Sequence, residues 1–164
     1  MHTTKAMQTA KLDKIDCRLL NLLQTDADVT NAYLAAQIGL SQAAVFERVK
    51  RLETTGYIKN YYAQLDGAKV GAGATFFLQI SLNSNRKSSI DGFLNKIGEL
   101  DQVTECHHIT GSAGFLLKVV TKDMQAFECL VMEEMSQVEE IGNLQSMVVL
   151  SVMKDSNVVP IPAD

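Results

Sequence analysis

The side chains best placed to do chemistry lie in one stretch, Ser41-Gln42-Ala43-Ala44 followed by Arg48, Lys50 and Arg51. Small residues at a helix start let that start approach base edges closely, and cations further along can meet phosphates or a guanine edge. This is the chemistry of touching a duplex rather than of breaking a bond. A second group, Cys106-His107-His108, offers a thiol and two imidazoles. Consecutive residues on a strand alternate faces, so these three cannot converge on one ion, and neither a metal nor a cofactor is expected.

Positioning the first group requires two helices and a tight turn. Leu34, Ala35 and Ile38 share one helical face, and Gly39 sits where a left-handed residue would end that helix. Ser41 can accept backbone N–H bonds and start the next helix. In that helix Val45, Val49 and Leu52 fall within a narrow arc, while Ala43, Glu47, Lys50 and Arg51 point roughly the other way and Arg48 lies on the flank. One side packs and the other is open. Asp13 is a plausible N-cap for a preceding helix whose Ile15, Leu19, Leu22 and Leu23 complete a three-helix bundle, the last helix being the one that enters a groove.

Composition limits the alternatives. A chain of 164 residues holds one ordinary domain or two small ones, and 46% hydrophobic with 21% charged residues is a globular balance. No apolar run approaches the roughly 18 residues a membrane span needs, and the first ten residues lack a secretory stretch, so a cytoplasmic location with no membrane partner is expected. Cys17, Cys106 and Cys129 are too few and too widely spaced for a disulfide framework. The net charge of −4 is uneven: residues 1–60 carry eight Lys/Arg against six Asp/Glu, and the remainder seven against thirteen. A mildly basic front third on an acidic body suits a nucleic-acid module joined to something else.

After Gly56 the pattern changes. Residues 58–65 have the tyrosine-rich look of a strand, and the glycine-containing stretch 66–73 reads as a link. Two units of similar plan follow. The first is a strand at 75–82, a helix capped by Ser89 with Ile90, Phe93, Leu94 and Ile97 at helical spacing, and a strand at 103–110. The second is a strand at 115–121, a helix capped by Asp123 with Phe127, Leu130, Val131, Met135 and Val138, and a strand at 144–153. The order β-α-β-β-α-β predicts a ferredoxin-like α+β domain, a four-stranded antiparallel sheet with two helices on one face. Apolar residues on both sheet faces point to a homo-oligomer, most simply a twofold dimer. The expected divisions are a flexible arm at 1–10, a three-helix, winged-type helix-turn-helix domain at 11–60, a strand and linker at 61–73, and a sensing and oligomerisation domain at 74–164.

The chain resembles the Lrp/AsnC (leucine-responsive, feast/famine) family of transcription regulators over about residues 12–153. The resemblance is carried by Leu12-Asp13-x-x-Asp16, Leu34-Ala35, Ile38-Gly39-Leu40-Ser41, Val45-x-x-Arg48-Val49-x-x-Leu52-Glu53-x-x-Gly56, Glu105-Cys106-His107, Thr110-Gly111 and Asp123-Met124. It implies a sequence-specific DNA-binding regulator and not an enzyme. The partners implied are double-stranded DNA, a second copy in a homodimer that often assembles into tetramers or octamers, and a small effector such as an amino acid. Carried over by position, the DNA-binding residues are Ser41, Gln42, Ala43, Ala44, Arg48, Lys50 and Arg51. The effector residues are His108, Thr110, Gly111, Ser112, Ala113, Gly114, Phe115, Met124 and Val148.

Two departures from the family pattern matter. The turn after the second sensor strand reads Gly111-Ser112-Ala113-Gly114, whereas relatives usually carry carboxylates there that can meet a ligand ammonium group. A buried ammonium without a counter-charge is costly, so the expectation at this turn is weak or absent binding of ordinary amino acids, or a ligand held by other groups such as Ser112, Thr110 and backbone carbonyls. Gln42-Ala43-Ala44 stands where small hydroxyl residues or proline are common, which leaves the target sequence open. Two other functions remain in view, an enzyme resembling siroheme decarboxylases that would use His107 and His108, and a ligand-independent architectural DNA-binding protein.

Overall fold

The computed structural model describes residues 11–161, so the arm expected at 1–10 lies outside the described residues. The described residues form two compact units, 11–63 with 154–161, and Gln64–Met153. The first unit therefore takes back the end of the chain, which sequence patterning assigns to the sensor half.

Three helices make the first unit. They are α1 (Lys14–Thr25), α2 (Asn31–Ile38) and α3 (Gln42–Thr54). Each begins where a side chain can satisfy N–H groups that have no intrahelical partner. The Asp13 carboxylate accepts the Asp16 N–H at 2.7 Å while Asp16 accepts the Asp13 N–H at 3.1 Å, a reciprocal cap. Thr30 accepts the Tyr33 N–H and Ser41 the Ala44 N–H, both at 3.2 Å. Gly39 ends α2 with φ of 79°, the left-handed conformation that costs a Cβ-bearing residue about 1–2 kcal/mol. Leu19, Leu23, Leu34, Ala35, Val45 and Leu52 are buried together as the core, with Ile15, Leu22, Ile38 and Val49 packed around them.

The second unit contains β1 (Ala74–Leu82), α4 (Lys87–Gly98), β2 (Val103–His108), β3 (Phe115–Thr121), α5 (Met124–Cys129) and β4 (Ile141–Val148). The strand order is β2-β3-β1-β4 with every pair antiparallel, the expected ferredoxin-like arrangement. Phe76, Leu78, Ile80, Phe115, Leu117 and Val119 alternate onto the buried face, where they meet Phe93 and Ile97 of α4 and Phe127 of α5. The Phe76 and Phe127 rings stack with centroids 3.8 Å apart.

Several sequence expectations need correction. The strand anticipated at 58–65, and so the strand in the 61–73 segment, has no ladder in this chain; Tyr62 and Leu65 are exposed. Tyrosine content gives β propensity, but a strand also needs an edge to pair with. Ser89 does not cap α4: it is the third residue of that helix, and Arg86 is the N-cap, with no side-chain bond. The second sensor helix is capped by Asp123 as expected but continues as a π turn (Leu130–Glu134) and a short 3₁₀ turn (Met135–Gln137). The wide turn lets Leu130 and Met135 both face the core, although five residues of α-helix would place them on different sides. The last strand runs from Ile141 to Val148, three residues before the expected start and five short of the expected end; Val148 pairs with Phe76, and β1 offers only two further residues, Thr75 and Ala74, to anything beyond it.

Candidate nucleic-acid interface and effector turn

The start of α3 is open. Ser41, Gln42, Ala43 and Ala44 are all exposed, and so are Glu47 and Lys50 further along the same helix. Phe46 is also exposed, and the Lys50 ammonium lies 5.9 Å from its ring centroid. Phe46 belongs to neither the packed arc nor the cationic side in the sequence pattern. It lines an open cavity of about 400 Å³ with Leu23, Val29, Leu34 and Tyr61. Tyr61 donates its hydroxyl to Glu53 at 2.9 Å; burial first and then that carboxylate raise its pKa to about 12.

Arg48 and Arg51 have a second set of partners. Arg48 Nη1 reaches Asp13 at 2.7 Å and Asp16 at 2.8 Å, and Arg51 Nη2 reaches the other Asp16 oxygen at 2.5 Å. The Asp16 side chain is 1% exposed, so this is a buried carboxylate held by two guanidinium groups and a backbone N–H. The capping residues of α1 thus also lock the flank of α3. The cluster was missed in sequence, although its signal was present as two acids three apart at one helix start and two arginines three apart on another. Asp13 is held below the usual carboxylate range, first by the Asp16 N–H and then by Arg48, while Asp13 and then Asp16 raise Arg48. A depressed folded pKa contributes stability that is full above the unfolded value of about 3.9 and lost as pH falls through the folded value. The Asp13 contribution to the stability of the first unit is therefore expected to be lost as pH falls below about 4, and Asp13→Asn to remove that part of the acid limb in denaturation followed by circular dichroism. Because the Asp13 side chain is 49% exposed, the effect stays below about 1 kcal/mol.

In the second unit Cys106, His107 and His108 do alternate. His107 Nε2 lies 2.8 Å from Glu105 on the sheet face away from α4 and α5, and His108 stacks on Phe115 with centroids 5.0 Å apart on the other. Lys118 Nζ bonds the second Glu105 oxygen at 2.9 Å, and His107 and then Lys118 lower the Glu105 pKa. The turn at 109–114 is closed by the Ile109 N–H donating to the Gly114 carbonyl at 2.9 Å, with Gly111 left-handed at φ of 116°.

A single chain does not gather all the expected effector residues. Phe115 pairs with Ile80, which pairs with Leu144, whereas Val148 pairs with Phe76, four residues further along. At a rise of about 3.3 Å per residue that is roughly 13 Å. Met124 follows the far end of β3, beyond Thr121. His108 and Thr110 to Phe115 lie at one end of the sheet, and Met124 and Val148 at the other.

Two family descriptions match this chain, the AsnC-type helix-turn-helix domain over residues 12–53 and the Lrp/AsnC ligand binding domain over residues 75–159. The chain belongs to the Lrp/AsnC family of transcriptional regulators. It is 35% identical over 150 residues to the transcriptional regulator AzlB of Bacillus subtilis, covering 92% of this chain and 96% of that one. It is 34% identical over 146 residues to the leucine-responsive regulatory protein of Escherichia coli K12, covering 89% of each. Among solved structures, a Neisseria meningitidis transcriptional regulator in complex with L-Met superposes with a TM-score of 0.87 at 29% identity, covering 92% of this chain and 97% of that one. AsnC of E. coli superposes at 0.84 with 25% identity, covering 92% and 100%. The pairing of a three-helix reading unit with a four-stranded sensor sheet is thus the Lrp/AsnC plan across nearly the whole chain. These relatives carry the names of regulators rather than of enzymes.

Proposed function

We propose that this Lrp/AsnC regulator reads double-stranded DNA with the exposed start of α3, from Ser41 to Ala44, and that Lys50 and the outward nitrogens of Arg48 and Arg51 meet phosphates. The observation that carries this is the division of labour on α3. Small and amide side chains are open where a groove floor would be, while Asp13 and Asp16 fix the guanidinium groups on the flank. Bases are then read by the helix start and register is set by cations. The sheet face bearing Phe77, Leu116, Val120 and Met147 supports pairing of two copies, which presents two reading helices to a palindrome. The test is selection of bound fragments from random duplex by the purified protein. Enrichment of a palindrome with half-sites about one helical turn apart is expected, and no enrichment over input at low salt would end the proposal.

The Neisseria regulator was solved with L-Met, which supports a small-molecule effector at the sensor unit here. Because residues 112–114 bring no carboxylate and the two groups of effector residues stand roughly 13 Å apart along the sheet, the site forms between copies and holds free α-amino acids weakly. Calorimetric titration with L-Met and L-Leu is expected to give dissociation constants no tighter than about 1 mM, that is, about −4 kcal/mol. A micromolar constant for either would show that other groups replace the missing carboxylates.

A further inference from the structure

The end of the chain returns to the first unit and is held there by one side chain. The Val159 N–H donates to Gln24 Oε1 at 2.9 Å, and Gln24 Nε2 donates to the Val159 carbonyl at 3.0 Å. A primary amide that meets both polar groups of a single residue mimics the pairing of one strand with another. Gln24 Nε2 also donates to Asn21 Oδ1 at 2.9 Å, one turn earlier on α1, which orients the amide. These contacts lie within one compact unit.

The sequence prepares the segment for this. The chain has two prolines, and both are here, at 160 and 162. A residue before proline is driven out of the helical region toward extended conformations, so Val159 and Ile161 are pre-set for edge-on pairing and little entropy is lost on docking. Val158 and Val159 leave their side chains largely exposed, whereas Ile161 is half-buried, the first residue after Val149 that is not exposed. Recognition of a peptide backbone by a side-chain amide, with Ile161 partly covered beside it, is a pattern of extended-peptide capture.

We propose that the surface of α1 around Asn21 and Gln24 is a docking site for the chain's own C-terminal segment, residues 156–161. The segment acts as a strap across α1 within the helix-turn-helix unit. That the strapped unit reads DNA rests on the function proposed above, but the docking itself does not, and its test uses no DNA.

Hydrogen exchange of the full-length protein, followed by mass spectrometry, reads the docking through the peptide containing Val159. In the wild type this peptide exchanges more slowly than an unstructured chain. Gln24→Ala is expected to speed its exchange by about fivefold, the loss of one net amide pair, with sensor-unit peptides unchanged. Val159→Pro, which removes the donor without touching α1, is expected to move the Gln24 side-chain amide resonances toward those of a free glutamine. Equal exchange in the wild type and Gln24→Ala, with unmoved amide resonances in Val159→Pro, overturns the proposal. A short bismaleimide bridging Thr25→Cys and Val158→Cys, exposed neighbours that leave the Gln24 amide and the Val159 backbone in place, with Cys17, Cys106 and Cys129 replaced by Ser, is expected to give an intramolecular product on a denaturing gel. A product of twice the chain mass would assign the strap to a second copy and overturn the assignment to the chain's own segment.

Discussion

Asp16→Ala is expected to destabilise the first unit by about 2–4 kcal/mol, read as a lower urea midpoint with an unchanged denaturant slope. The substitution removes three contacts at once: the bond to the Asp13 N–H, and the bonds to Arg48 and Arg51. Hydrogen bonds to charged groups are each worth about 1.5–3 kcal/mol, and part of that loss is offset because the arginines regain water. Asp16→Asn discriminates between shape and charge. It keeps the volume and one acceptor but gives up the ionic partner of two guanidinium groups, so it should fall between wild type and Asp16→Ala. If both variants melted like the wild type, the cluster would be an ornament of the surface rather than the tie between α1 and α3. DNA binding by Asp16→Ala, measured where the protein is still folded, should fall as well, because Arg51 loses its partner in the cluster and Arg48 keeps only Asp13 to hold its orientation.

How far such ties could be anticipated depends on their range in sequence. The caps at Asp13, Ser41 and Asp123 and the stop at Gly39 were legible because a cap is decided by the side chain and the three or four residues after it. The cap assigned to Ser89 failed for the same local reason. Arg86 takes the extended conformation, its N–H donating to Ser84 Oγ at 3.3 Å, and the helix is under way before Ser89 is reached. The strands β1 and β3 were legible because both alternate cleanly between a buried and an open face. The last strand was overextended because the apolar run continues through Leu150, Val152 and Met153, which are exposed; pattern cannot show where a partner strand runs out. The residues at 58–65 show the same limit more plainly, since tyrosines alone do not supply an edge.

The proposed reading face was partly legible. Periodicity separated Val45, Val49 and Leu52 from the outward residues, and the structure buries Val45 and Leu52 and half-buries Val49. What periodicity could not supply was the partner of Arg48, 35 residues from Asp13 and 32 from Asp16. Flank residues sit between core and solvent, and whether they are free depends on a neighbouring helix. The return of the last residues to α1 is a contact across 135 positions, and no local pattern announces it.

The second large effect is on salt dependence, where Lys50 and Arg48 should behave differently. A twofold pair that neutralises about six phosphates has a slope of log affinity against log salt near −5 and loses roughly a thousandfold in affinity between 50 and 200 mM. Lys50 is exposed and makes no ion pair among the described residues, so on the proposed reading its charge is available to a duplex, and its contact within the fold is the exposed Phe46 ring at 5.9 Å. Lys50→Ala should shrink the slope by about 1 per copy, close to 2 for the pair, with thermal unfolding unchanged. Arg48→Ala should weaken binding and also lower the unfolding midpoint, because Asp13 loses its ion-pair partner and the buried Asp16 keeps only Arg51. Fluorescence anisotropy on the selected duplex over a salt series, paired with melting curves, separates the two. A slope for Lys50→Ala equal to that of the wild type would place the phosphates elsewhere, and α3 would then be packing or positioning a different reading surface.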